Sequence, residues 1–125
     1  MSITIAHMLA AANAEVPRIT PTQAREMIAA GNALVVDVRD APEVALSGKV
    51  EGAINVSRGM LEFRADPASP YHDKAFDKSK PVIVYCASGG RSALGGKVLK
   101  ELGYEHVYNL GAFKDWVESG GKVEK

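Results

Sequence analysis

Residues 81–92 read Pro81-Val82-Ile83-Val84-Tyr85-Cys86-Ala87-Ser88-Gly89-Gly90-Arg91-Ser92. The first half is a β-branched and aromatic run, the strongest strand signal in the chain, and the second half is a tight loop of small residues. From Ser92 to Leu102 a helical face of Gly95, Val98, Leu99 and Leu102 follows, and Gly103 ends it. The order is strand, loop, helix. Two consecutive glycines permit backbone angles that other residues avoid, so successive N–H groups can turn inward as a concave nest for an anion. A helix beginning near Ser92 adds the positive end of its dipole. Arg91 adds a formal charge and a planar fork of donors. A thiolate at Cys86 would gain from all three, which predicts a pKa below the free-thiol value of about 8.5. A lone cysteine at a strand end is usually a small buried hydrophobe. Glycines and an arginine directly after a core strand have little use in packing, and they favour the anion site.

Upstream, residues 1–16 read as an amphipathic helix and residues 17–21 as a linker. Thr20-Pro21-Thr22-Gln23 supplies a hydroxyl cap with proline early in the next helix, which Gly31-Asn32 stops. Residues 33–38 form a short β-branched run of the kind buried in a parallel sheet, ending at Arg39 and Asp40. A short helix is expected from Pro42 to Leu46, broken by Gly48, and a brief strand at 53–56. Between Gly59 and Lys80 the spacing predicts a short helix at Met60 to Arg64, loops at Pro67 and Pro70, and a helical turn from Asp73 to Phe76. Downstream, residues 106–110 read as a last strand, and residues 112–118 as a last helix stopped by Gly120-Gly121. Strands alternating with helices through short connections imply an α/β layer structure with a mostly parallel sheet and helices on both faces. Ligands gather at the carboxyl ends of such strands, where Cys86 lies.

A chain of 125 residues fits one compact unit, and 46% hydrophobic with 24% charged residues is an ordinary globular composition. Fifteen basic residues balance fifteen acidic ones, so no global field favours nucleic acid or an anionic membrane. One cysteine rules out an internal disulfide, a CxxC zinc site and a dithiol pair. His7, His72 and His106 are scattered without metal-ligand spacing, and no metal is expected. The apolar piece from Met8 to Ala12 lacks a basic leader, and no run approaches the roughly 18 apolar residues of a membrane span. The cytoplasm is the expected location.

Cys86-Ala87-Ser88-Gly89-Gly90-Arg91 matches the C-x-x-G-x-R loop of the rhodanese family, and three further segments resemble it in order and spacing. Val36-Asp37-Val38-Arg39-Asp40, with Glu43, is similar to the family's V-D-V-R element. Gly48 to Val56 resembles G-H-I-x-G-A-x-N-[IV], with Lys49 where histidine is common. Leu110 to Trp116 resembles the C-terminal G-G-x-x-x-W element, with Ala112 replacing its second glycine. The resemblance spans roughly Thr20 to Gly121, so residues 1–19 form an N-terminal helical extension with linker and residues 20–125 a rhodanese-like domain.

The resemblance implies a rhodanese-like three-layer fold and a sulfurtransferase that carries sulfane sulfur as a persulfide on Cys86. The implied donor is a small anion such as thiosulfate; the acceptor is cyanide in the laboratory, and a thiol or a protein in the cell. No metal or organic cofactor is implied. Ala87, Ser88, Gly89 and Gly90 would supply backbone amides, and Arg91 would assist the sulfonate end of the donor or order the loop. Asp37 and Arg39 would brace the loop, and Glu43 would pair rather than react. Arg58 stands where many rhodaneses line the pocket, and either pocket contact or a solvated surface position fits it. Phe113 and Trp116 read as core anchors. Related phosphatases and arsenate reductases have a loop one residue longer, a wider cradle for a tetrahedral anion; the shorter loop disfavours that chemistry. A persulfide carrier serving another protein is the main rival. The oligomeric state and the role of the N-terminal helix stay open.

Overall fold

In the computed structural model, which describes residues 2–125, the Thr4 side chain caps α1 (Ile5–Glu15), and Thr20 with Gln23 forms the reciprocal capping box that starts α2 (Pro21–Ala29). β1 (Leu34–Asp37) leads to α3 (Ala41–Ser47), where the Asp40 amide donates to Glu43 Oε2 at 2.9 Å. The two-residue strands β2 (Lys49–Val50) and β3 (Ile54–Asn55) precede a 3-10 turn at Arg58–Met60 and α4 (Leu61–Ala65). β4 (Val82–Cys86), α5 (Gly90–Glu101), β5 (Val107–Ala112), α6 (Phe113–Glu118) and β6 (Val123–Glu124) complete the chain.

The expected parallel sheet is present, in strand order β3-β1-β4-β5 with every pair parallel. Alternation along β4 divides the core into two. Val82, Val84 and Cys86 pack with Val36, Leu61, Leu99 and Tyr104 on the α4–α5 face. Ile83 and Tyr85 pack with Ala24, Val35, Phe113 and Trp116 on the α2–α6 face. Helices therefore cover both faces, giving three layers, and each fully buried leucine such as Leu61 or Leu99 stabilises the fold by roughly 1.5–3 kcal/mol. Among the described residues no helix is long and apolar enough to cross a membrane.

Several local expectations need correction. α5 begins at Gly90 rather than near Ser92, because Gly89, at φ 101°, serves as its N-cap and its carbonyl accepts from Ala93 N–H at 3.1 Å. Its buried residues are Ser92, Ala93, Gly95, Gly96 and Leu99, while Val98 is only half-buried. Small residues are required on that face: a Cβ at Gly95 would lie 2.9 Å from Leu61, and one at Gly96 would lie 3.0 Å from Val16. Residues 73–76 make a turn instead of a helix, with Ala75 N–H bonded to Asp73 Oδ1 at 2.9 Å and Phe76 N–H to Asp73 O at 3.0 Å. β5 continues past Leu110 to Ala112, so α6 starts at Phe113. The antiparallel β2–β6 ribbon has no counterpart in the sequence reading.

Residues 1–19 read from the sequence as an N-terminal helical extension with linker, the role of the helix being open. Their described part is closely joined to the rest: α1 packs along α5, Val16 belongs to the core, and Arg18 forms a parallel bridge with Asn109 at the edge of β5.

Candidate active site

Cys86 is the last residue of β4, and its side chain is wholly buried. The backbone then turns back over it. Gly89 N–H donates to Cys86 Sγ at 3.1 Å, and Ser92 Oγ lies 3.5 Å from the same sulfur. Burial drives the thiol pKa up, but hydrogen bonds from the Ser92 side chain and from the Ser92, Ser88 and Gly89 amides outweigh it and leave the pKa lowered. Ala87 and Ser88 are exposed, so the loop that holds the sulfur reaches the surface.

The loop is held from behind by Asn109, a fully buried residue that the sequence reading passed over. Its Oδ1 accepts from Ser92 Oγ at 2.7 Å and from Gly111 N–H at 2.9 Å, while its Nδ2 donates to Gly89 O at 3.2 Å. The Gly111 and Gly89 contacts fix the orientation of the amide. The Ser92 hydroxyl has one proton; while that proton is given to Asn109, the thiolate is supported by backbone amides. A register shift makes this possible: Val84 pairs with Asn109 but Tyr85 pairs with Gly111, so Leu110 is an extra residue in β5. Nothing local to Asn109 announces this role; its partners Gly89 and Ser92 meet it only through the sheet.

Arg91 points its guanidinium at Glu43, with Nη1–Oε2 at 2.7 Å and Nη2–Oε1 at 2.9 Å. This contact, with the Asp40 amide, holds the Glu43 carboxyl down at about 2. The loop is thus tied to the first turn of α3, and Glu43 pairs. Asp37 and Arg39 form a buried bidentate pair, with Arg39 Nη2–Asp37 Oδ2 at 2.7 Å. Arg39 also reaches Ser47 Oγ and Gly48 O and lies 4.4 Å from the Phe113 ring centroid. The Arg39 guanidinium lies 5.8 Å from the ring centroid of Tyr85, whose hydroxyl accepts from Val50 N–H at 3.0 Å, so the pair sits beside the residue before Cys86 and makes no hydrogen bond to Sγ. Phe113 stacks on Tyr85, and Trp116 Nε1–H donates to Lys122 O at 2.9 Å.

Arg58 is placed away from the loop's hydrogen-bond network. Its Nη1 pairs with Glu62 Oε1 at 2.8 Å, and its side chain lines a groove of about 590 Å³ between α1 and α5 with Met8, Leu94 and Val98. Arg18, also unremarked in the sequence, lies instead across Gly111 and Gly89. Among the described residues no group of three or more acidic, histidine or cysteine side chains is placed to hold a metal.

The family model for the rhodanese-like domain matches residues 20–119. The thiosulfate sulfurtransferase GlpE of Actinobacillus succinogenes is 34% identical over 85% of this chain and 88% of its own. The thiosulfate sulfurtransferase PspE of Escherichia coli is 39% identical over 64% of this chain and 70% of its own. A solved structure from Rhodopseudomonas palustris, described as a protein of unknown function and possible tyrosine phosphatase, superposes with a TM-score of 0.91 at 36% identity, covering 99% of this chain and 96% of that one. A family match over four-fifths of the length, on a fold whose layers and loop agree with it, makes this chain a member of the rhodanese-like domain family.

Proposed function

We propose that the protein is a sulfurtransferase that moves sulfane sulfur from a donor such as thiosulfate to a thiophilic acceptor through a persulfide on Cys86. The observation that carries this reading is the Gly89 amide aimed at Sγ at 3.1 Å from a loop of the short, six-residue length. A cysteine merely filling space would have its following amides turned elsewhere. The names of the GlpE and PspE relatives support sulfurtransferase activity. In the first step the Cys86 thiolate attacks the outer sulfur of thiosulfate: a new S–S bond forms, the donor's S–S bond breaks, and its electron pair leaves with sulfite. In the second step the acceptor attacks the sulfane sulfur and the electron pair returns to Cys86. The Ala87–Gly90 segment supplies amides that hold the negative sulfur, Arg91 and Glu43 fix the loop, and Asp37 with Arg39 support the strand end beneath it. Neither step calls for a metal or an organic cofactor.

In this reading residues 20–125 are the rhodanese-like domain and residues 1–19 its N-terminal helical extension and linker; the setting is the cytoplasm, with a thiol or protein as acceptor. Intact mass after thiosulfate treatment tests the central step. One added sulfur, removed by cyanide and absent in Cys86→Ser, is expected; an unchanged mass refutes it. The phosphatase description of the Rhodopseudomonas palustris structure gives a second reading, and hydrolysis of p-nitrophenyl phosphate dependent on Cys86 would favour it. The short loop favours sulfur.

A further inference from the structure

We infer that Arg18, from the segment before the family-matched region, is the residue that recognises the oxyanion end of the sulfur donor. Three arginines already discussed are held by carboxylates: Arg39 by Asp37, Arg58 by Glu62 and Arg91 by Glu43. Arg91 gives one N–H from each terminal nitrogen to Glu43, so its charge is already matched by a carboxylate. Arg18 has no carboxylate partner among the described residues, and it is exposed.

Its position is set by backbone. Asn109 N–H donates to Pro17 O at 2.8 Å and Ile19 N–H to Asn109 O at 3.0 Å, so residues 17–19 run parallel to β5. From beside Asn109 the Arg18 side chain reaches Gly111 and Gly89, near the strand ends where Cys86 lies. There the guanidinium covers Gly111, where a Cβ would overlap it, and passes Gly89, where a Cβ would sit 3.1 Å from Nη1. Both glycines have positive φ, 101° at Gly89 and 89° at Gly111, and the missing side chains leave the space that the guanidinium fills. Gly89 is also the residue whose amide meets Sγ, so this unpaired cation flanks the donor nearest the sulfur.

This assignment rests on the sulfur-transfer reading and deepens it. As the donor's S–S bond breaks, its electron pair and negative charge pass to the departing sulfite, and a planar fork of donors beside the loop stabilises that charge. Loss of a charge-assisted contact is expected to raise the KM for thiosulfate by about tenfold to a hundredfold. Discharge of the persulfide by a neutral thiol has no departing oxyanion and is expected to stay within about twofold.

The experiment uses the full chain as wild type, Arg18→Gln and Arg18→Lys. Two quantities are followed: iodoacetamide alkylation of Cys86 with increasing sulfate at constant ionic strength held with chloride, and persulfide charging by thiosulfate with discharge by 2-mercaptoethanol. Sulfate, a tetrahedral oxyanion that transfers no sulfur, is expected to protect Cys86 in the wild type, with the protection weakened at least tenfold in Arg18→Gln and partly kept in Arg18→Lys. Equal protection in wild type and Arg18→Gln overturns the assignment, and so does a fall in discharge as large as the fall in charging. Failure of the wild type to take sulfur, with Arg18-dependent sulfate protection intact, sinks sulfur transfer while the anion arm stands. Normal charging in Arg18→Gln sinks the arm alone.

Discussion

Replacing Asp37 with asparagine should destabilise the protein heavily without touching the sulfur. Asp37 is wholly buried, Arg39 is 4% exposed, and the carboxylate accepts from Arg39 N, Nε and Nη2 at 2.7–3.1 Å. The amide keeps the shape but leaves a buried guanidinium without its counter-charge, a change that costs about 3–5 kcal/mol. Arg39 retains Ser47 Oγ at 2.8 Å, Gly48 O at 2.7 Å and the Phe113 face, which sets the loss near the lower bound, about 3 kcal/mol. For 125 residues the unfolding entropy is roughly 0.26 kcal/mol/K, so the Tm should fall by about 11 °C. Urea unfolding should show a lower midpoint at unchanged slope. The double variant Asp37→Leu with Arg39→Met removes both charges and should recover most of the loss. Persulfide charging per folded molecule should stay within about threefold of wild type, because neither residue meets Sγ. A loss under about 1 kcal/mol, or a double variant no better than the single one, refutes the claim that this ion pair braces the strand end.

The Cys86 thiol should alkylate with a midpoint below that of a free cysteine, followed by iodoacetamide rate against pH. Because its folded pKa is the lower one, its contribution to stability is present above the unfolded pKa, near 8.5, and lost as pH falls through the folded value; Cys86→Ser should flatten that slope. The Glu43–Arg91 contribution, present at neutral pH, should fade as acid passes from the ordinary carboxylate range to about 2, and wild type and Glu43→Gln should converge there in urea midpoints. Both side chains are more than a third exposed, so the neutral-pH difference should stay under about 1 kcal/mol. Gly121→Ala would drive a Cβ into the Trp116 indole, and a loss of about 1–3 kcal/mol with red-shifted tryptophan emission is expected.

Much of this architecture was legible because local signals were strong. The run at 82–85 is β-branched or aromatic and buried at every position, Gly31, Gly103 and Gly120 end helices at positive φ, and Thr20 with Gln23 gives a complete cap. Cys86, its glycines and Arg91 were legible as one contiguous motif. What escaped the sequence is non-local or too short to be periodic. Lys49–Val50 pairs with Val123–Glu124 across more than seventy residues, and a two-residue strand has no alternation to detect. The stretch from Asp66 to Lys80 is built of turns around Asp66, Asp73 and Asp77, whose side chains bond their own backbone two residues on. Asn109 and Arg18 reach the loop through strand pairing, and Val98 was assigned by helical spacing to a core that ends one residue away at Leu99.

The extra residue at Leu110 separates the stiffness of the site from its surface. The unpaired step in β5 lets Asn109 grip Gly89 and Ser92 from below, so the seat of the sulfur is anchored in a neighbouring strand as well as by the Arg91–Glu43 tie. Ala87 and Ser88 form an exposed roof that this anchoring does not use. Changes at those two positions can therefore reshape what the site meets from solvent while the floor beneath it keeps its shape.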